Sequence, residues 1–323
     1  MNILVTGAAG QIGSELIGEL RRRYGTEAVI ASDINAEAGK ELQKSGPFEL
    51  ADCTNYDKMK EVIRTYHIKT IYHLAAILSA TAEAKPQLAW NVNINGLYII
   101  LELAREYGCS VFTPSSIGAF GPTTPKINTP QDTVQRPTSM YGVTKVTGEL
   151  LCDYYYQKFG VDTRGLRYPG IISNVTLPGG GTTDYAVDIF YEAIRNRKYT
   201  CFLKKGTYLD MMYMPDAIEG AIQLMETEGE KLKHRNAFNV TAMSFDPEEI
   251  ASEIKKHIPE FQIIYEVDPV RQAIADSWPQ HMDDSAARQE WGWNPRYDLA
   301  GMTEDMIQTL QDRLVPAGEK IND

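Results

Sequence analysis

The chain of 323 residues is 43% hydrophobic and 23% charged, proportions of an ordinary globule, and its length points to one large domain with a smaller companion. Its formal net charge of −11 argues against nucleic acid or an anionic membrane surface as the main partner. The four cysteines stand far apart with no CxxC spacing, which speaks against a disulfide or metal framework, and no apolar run is long enough for a transmembrane helix.

Residues 3–6 read as a strand and 11–24 as an amphipathic helix that Gly25 ends. Structure starting at Ile3 leaves no room for a leader ahead of it, so the chain is expected to be either bacterial and cytoplasmic or already processed. Strands follow at 28–32 and 70–74, with a third short strand candidate before Asp52 and a helix over 56–67. Residues 91–107 read as one long helix, 110–114 as a strand, 137–159 as a helix and 163–168 as another strand. This alternation predicts an α/β fold with a Rossmann-type, doubly wound parallel sheet and a ligand at the carboxyl ends of its strands.

After Tyr168 the rhythm changes: 178–183 is a loop, 184–195 a helix, 199–203 a strand, and mixed elements run to Leu314. We therefore expect a dinucleotide-binding domain over 1–172, a smaller C-terminal α/β substrate domain acting as a lid over 173–315, and a frayed tail over 316–323. The helix at 216–226 is apolar enough to pack back on the first domain.

The first strand runs into Gly7, Gly10 and Gly13, with Gln11 and Ile12 in the turn. Such a turn brings main chain close to a pyrophosphate at a helix N-terminus, where free N–H groups and the helix dipole favour an anion. A tight strand-to-helix turn without a ligand is the plainer alternative. Asp33 follows the second strand, where its carboxylate can accept hydrogen bonds from an adenosine ribose and repel the extra phosphate of NADP. Arg21, Arg22 and Arg23 read as charges favoured at a helix C-terminus, so NAD is the expected cofactor. Asp52 and Cys53 are placed to frame the adenine, and Leu74, Ala75 and Ala76 are small enough to lie against the cofactor. His73 reads as a structural histidine at a strand end, with a catalytic base as the alternative.

Tyr141 and Lys145 lie four apart on a predicted helix and share one face. A phenol titrates near pH ~10, and a neighbouring ammonium favours the phenolate, which suits Tyr141 to take a proton from an alcohol. A chance YxxxK on an amphipathic helix is the plainer reading. Ser115 and Ser116, at a strand end upstream, each carry a hydroxyl that can orient the reacting oxygen.

With TGAAGQIG, HLAA, PSSIGAFG, YGVTK and Arg167-Tyr168-Pro169-Gly170 in this order, the chain resembles the extended short-chain dehydrogenase/reductase family, which includes NAD-dependent epimerases and dehydratases. The resemblance implies NAD held by the positions above together with Asn95, Tyr168, Pro169, Gly170 and Ile171. It also implies Tyr141 as acid/base, Lys145 as its partner, and Ser115 or Ser116 as the orienting hydroxyl, with family spacing leaning to Ser116. Family members usually pair through two long helices, here 91–107 and the Tyr141 helix, so a homodimer is expected.

Many sugar-nucleotide members carry asparagine where this chain has Gly170. The stretches PGGGTTDYAVDIFYEAI, KYTCFLKKGTYLDMMYMPDAI and DSWPQHMDDSAARQEWGW instead resemble the L-threonine 3-dehydrogenase branch. That likeness implies oxidation of the L-threonine β-hydroxyl to 2-amino-3-oxobutyrate. Consecutive N–H groups at Gly179, Gly180 and Gly181 can form a nest for the substrate carboxylate, and Thr182, Thr183 and Ser79 are hydroxyl donors. Asp184 reads equally as a partner for the ammonium group or a helix cap. Trp278 reads as an apolar wall over the substrate methyl or as a buried seam residue. The histidines show no ligand spacing, so no metal is expected. A sugar-nucleotide epimerase or dehydratase, and more remotely a non-catalytic NAD sensor, are the competing readings.

Overall fold

The computed structural model describes residues 2–176, 179 and 181–314. Strand and helix alternate through β1 (Asn2–Thr6), α1 (Gln11–Tyr24), β2 (Val29–Asp33), α2 (Ala36–Lys44), β3 (Phe48–Leu50), α3 (Tyr56–Thr65) and β4 (Ile68–His73). Short helices α4 (Ser79–Ala84) and α5 (Pro86–Trp90) lead through wide π-helical turns (Asn91–Gly96) into α6 (Leu97–Tyr107). Then come β5 (Ser110–Phe112), β6 (Ser115–Ser116), α7 (Met140–Phe159), β7 (Thr163–Arg164), β8 (Leu166–Tyr168) and β9 (Gly170–Ile172).

Six of these strands form a parallel sheet in the order β3-β2-β1-β4-β5-β7. Strand order reverses between β1 and β4, which opens a crevice above their carboxyl ends. The alternation along β1 explains the double winding. Ile3 and Val5 pack with Leu16, Ile17 and Leu20 of α1, whereas Leu4 packs with Val62, Ile63, Ile100 and Leu101 of α3 and α6.

The strand expected over 163–168 is two strands. β7 pairs with β5, while β8 pairs with β6, and Gly165 sits between them. A side chain at Gly165 would collide with the Thr113 carbonyl, so glycine lets the two chains shift together. The start of α7 is fixed by Ser139, whose hydroxyl accepts the Gly142 N–H at 3.1 Å, and its end by Gly160 at φ +69°.

The later chain contributes α8 (Tyr185–Asn196), β10 (Lys198–Cys201), β11 (Leu209–Tyr213), α9 (Met214–Glu226), β12 (Phe238–Asn239), β13 (Met243–Phe245), α10 (Pro247–His257), β14 (Gln262–Tyr265), α11 (Pro269–Ser277), α12 (Ser285–Trp291) and α13 (Leu299–Leu314). β11 runs parallel to β9 and antiparallel to β13, and β10 pairs with β14. A separate core forms here from Tyr185, Phe190, Met211, Phe245, Phe261, Met306 and Leu310. α9 belongs elsewhere: Met214, Ala217, Ile218 and Ala221, with Trp291 and Trp293, join the core on the α1 face of the first sheet. Among the described residues no helix is long and apolar enough to cross a membrane. All four cysteines are buried and unpaired.

Candidate active site

The glycine turn is shaped by close approach. Gly7 adopts φ +69°, and a Cβ there would lie 2.6 Å from the Ala75 nitrogen; one at Gly13 would lie 2.9 Å from the Ala8 Cα. The Gly10 N–H donates to the Gly7 carbonyl at 3.1 Å, closing the turn. α1 then begins with no side-chain cap and no acidic residue in its first turn, so its amides face the crevice uncompensated. Gln11 and Ile12 line that crevice beside Gly7, Gly10 and Gly13.

Asp33, at the end of β2, accepts the Ala9 and Asn35 N–H groups, each at 2.9 Å, and ties the turn to the second strand. Arg21 is not a surface charge: it is buried, with bonds to the carbonyls of Val29, Leu42 and Pro47. Arg22 and Arg23 pair with Glu19. Asp52 accepts from the Thr54 N–H and hydroxyl, both at 2.8 Å, and Cys53 is buried with its Sγ against Gly96. None of Asp33, Asp52 and Cys53 lines the crevice. Ala75 backs Gly7 rather than facing the opening.

The crevice continues as a cavity of about 240 Å³ that gathers Leu74, Ala76, Ser79, Ser115, Ser116, Tyr141, Lys145, Tyr168, Pro169, Gly170, Ile171, Gly179, Thr182, Thr183 and Trp278. Tyr141 stands in the first turn of α7, its ring edge against Gly118. Lys145 follows one turn on. Its ammonium donates to the Pro114 carbonyl at 2.8 Å and lies 5.3 Å from the centre of the Tyr141 ring.

The two serines are not equivalent. Ser115 donates to Glu149, a buried carboxylate that also receives Arg167 at 2.8 Å and Gln135 at 2.8 Å. Ser116 instead accepts from the Gly118 N–H at 3.1 Å, which leaves its own hydroxyl hydrogen to donate elsewhere. His73 is buried, and its Nδ1 meets the Thr6 hydroxyl at 2.7 Å. Burial, reinforced by the Lys145 charge, pushes its pKa down to about 3, which keeps the ring neutral.

Asn95 stays outside the crevice. It is exposed and donates to Asn91 at 2.9 Å. Its neighbour Asn93, which the sequence reading passed over, is buried and brackets the loop after β4: it accepts the Ile77 N–H at 2.7 Å and donates to the Ile77 carbonyl and the Thr144 hydroxyl. The π-helical turns, where a single α-helix was expected, aim Asn93 inward. The signal was the Asn-x-x-Gly at the start of an apolar helix.

On the far wall the expected carboxylate nest is altered. The Gly181 N–H donates to the Asp184 carboxylate at 2.5 Å, so this amide is engaged within the loop. Gly180 lies outside the described residues. Gly170 faces Thr183, whose Cγ2 would stand 2.7 Å from a Cβ there, so a larger residue at 170 would push into the threonine loop. Trp278 packs in the second core and also lines the cavity. Among the described residues no group of His, Cys, Asp and Glu gathers as metal ligands.

A family profile described as the NAD dependent epimerase/dehydratase family matches residues 3–241. The chain belongs to that family. It is 58% identical to the L-threonine dehydrogenase of Clostridium difficile, with a TM-score of 0.95 over 97% of this chain and 98% of that one. The holo form of a GalE-like L-threonine dehydrogenase from Cupriavidus necator is 49% identical, with a TM-score of 0.91 over 96% of this chain and 100% of that one. An uncharacterized epimerase/dehydratase of Staphylococcus haemolyticus is 56% identical over 96% of this chain and 98% of its own length. NAD is this family's cofactor, and the cradle fits it. Glycine backbone leaves room at the turn, the uncapped α1 amides suit a pyrophosphate, and Asp33 ends β2 where a ribose would lie.

Proposed function

We propose that this protein oxidises the β-hydroxyl of L-threonine to the ketone, giving 2-amino-3-oxobutyrate and reducing NAD+. The observation that carries this reading is the joining of Tyr141, Lys145 and Ser116 to the threonine-bearing wall of one cavity. Similarity to L-threonine dehydrogenases over nearly the whole chain supports it.

Bound NAD+ supplies the acceptor for the hydride that leaves the substrate Cβ. The protein's own groups do the rest. Ser116 donates its hydroxyl to the reacting oxygen and fixes the oxygen's position. Tyr141, with the Lys145 ammonium beside its ring, takes the hydroxyl proton as the carbon–oxygen double bond forms. Lys145 is pinned by the Pro114 carbonyl and so keeps its charge beside that phenol. Ser115 acts through Glu149, holding β6 in register with β8, rather than on the substrate.

Ser79 and Thr182 offer hydroxyls to the substrate carboxylate, and Thr183 packs against Gly170 at its edge. Asp184 is the one carboxylate among the described lining residues, and its charge suits the substrate ammonium. Trp278 closes an apolar wall over the methyl group. A site built for a hydroxyl and two charges discriminates strongly against analogues that lack one of them.

The test follows NADH absorbance with L-threonine, L-allo-threonine, L-serine and D-threonine, each with NAD+ and with NADP+. L-threonine with NAD+ is expected to give the fastest turnover. Faster turnover of a UDP-sugar than of L-threonine would replace this reading with a sugar-nucleotide activity.

We also propose a homodimer. α5, α6 and α7 present Trp90, Tyr98, Val143, Leu150, Tyr154 and Phe159 on the surface, with Leu150 63% exposed. Such an apolar face on paired helices suits a second copy of the same surface. Buried, unpaired cysteines and an acidic surface suit a reducing cytoplasm.

A further inference from the structure

Beside the substrate cavity lies a second one of about 30 Å³, walled by β4 and the residues after it, by Asn93 and the start of α6, by Thr113–Ser115 and by α7. Its lining includes His73, Asn93, Ser115, Thr144, Lys145 and Glu149. A space of about 10–15 Å³ suffices for one water, and a water persists where polar groups surround it. Most of those groups are already engaged. Glu149 is held by Ser115, Arg167 and Gln135, Thr144 by Asn93 and the Tyr141 carbonyl, and Asn93 by Ile77. His73 differs: its Nε2 is buried and has no partner. Leaving such an atom unpaired is costly, and the cavity His73 lines is where it can be satisfied.

From this arrangement we infer that His73 is a positioning residue for the proposed reaction: its Nε2 holds a buried water that accepts a hydrogen bond from the Lys145 ammonium. Thr6 and His73 are directly paired across β1 and β4, and the Thr6 hydroxyl meets Nδ1, so the ring is fixed in place. With the proton on Nδ1 and donated to Thr6, Nε2 presents a lone pair to the water's hydrogen. The water's oxygen then accepts from Lys145, which also donates to the Pro114 carbonyl. A hydrogen bond to a charged group favours the charged form. The water thereby fixes the Lys145 ammonium close to Tyr141, and the phenolate benefits in turn.

The charged and titratable groups around this cavity are few. Lys145 and Glu149 come from α7, with Tyr141 one turn before Lys145, His73 comes from β4, and Arg167 from β8 neutralises Glu149 in a bidentate pair. Glu149 therefore does not substitute as the water's acceptor.

This inference rests on Tyr141 and Lys145 being the reacting pair, and its test needs no substrate. The ionisation of Tyr141 is read in the NAD-loaded protein as the ultraviolet phenolate absorbance of the chain minus that of its Tyr141→Phe variant, across pH. His73→Leu removes the acceptor, and the Tyr141 pKa is expected to rise by about one unit. NAD affinity is expected to stay within about twofold, since His73 does not line the cofactor crevice. His73→Gln restores a polar end facing the cavity and is expected to recover at least half of the shift. Where His73→Leu does not fold, Thr6→Val, which frees the ring, is expected to raise the pKa in the same direction. An unchanged Tyr141 pKa in a folded His73→Leu protein overturns the inference, as does equal impairment in the leucine and glutamine variants. Absence of L-threonine turnover in the parent protein would count only against the substrate.

Discussion

Lys145 carries its ammonium 5.3 Å from the centre of the Tyr141 ring, anchored on the Pro114 carbonyl. The two side chains project from consecutive turns of α7, so the distance is set by the helix rather than by a mobile loop. The cation and the phenol are thus held side by side on one rigid element.

Tyr141→Phe removes the proton acceptor and leaves the ring packing intact. NAD binding is expected to survive while kcat falls by about 10²–10⁴-fold, the range for loss of a positioned acid/base. Single-turnover NADH formation together with cofactor titration separates the two effects. A near-normal kcat would show that Tyr141 is not the base.

The adjacent serines are expected to fail differently. Ser116→Ala lowers kcat and leaves thermal unfolding nearly unchanged, because that hydroxyl supports only the Gly118 N–H. Ser115→Ala withdraws a donor from buried Glu149 and is expected to cost about 1–3 kcal/mol of stability. Denaturant unfolding and steady-state kinetics on both variants would reveal this crossing pattern or its absence.

Asp33 accepts two main-chain N–H groups at the end of β2. Asp33→Ser removes a negative charge from the place where the extra phosphate of NADP would sit. The NAD+ to NADP+ ratio of kcat/KM is expected to fall on the order of tenfold to a hundredfold. Some loss with NAD+ itself accompanies it, since the glycine turn loses its tie to the second strand.

Asp210 on β11 is fully buried, and burial pushes its pKa up to about 8 despite bonds from the Met282 N–H and Thr241. A carboxyl held protonated in the folded state adds stability at low pH. That advantage declines as pH rises from about 4, where the unfolded chain ionises, to about 8, and then levels off. The melting temperature of the parent relative to Asp210→Asn is therefore expected to fall steadily across that window. A flat difference would show that Asp210 is ionised when folded.

A charge on the apolar α7 face tests the dimer. Leu150→Glu is expected to shift the mass measured by light scattering from two chains to one. An unaltered mass would move the contact to another surface.

Local chemistry in the sequence foretold much of this site. The glycine turn, the Tyr141 and Lys145 pair and the strand-helix rhythm are read within short windows, and period and spacing carry them. Features that depend on distant partners were less visible. Asn93 and Asn95 look alike in sequence, and only the π-helical turns, aimed at Ile77 and Thr144, separate them. Ser115 and Ser116 are distinguished by Glu149, far along the chain. Arg21 reads as a surface cation because its carbonyl partners at Val29, Leu42 and Pro47 belong to other elements. α2, α4 and α5 are too short or too polar to show a period of their own.

The packing of α9, Trp291 and Trp293 onto the α1 face has a bearing on biosynthesis. Until α9 and those two tryptophans have been made, the core on that face lacks part of its cover. Sealing that flank takes residues from late in the polypeptide, so the first sheet is completed only after most of the chain has emerged.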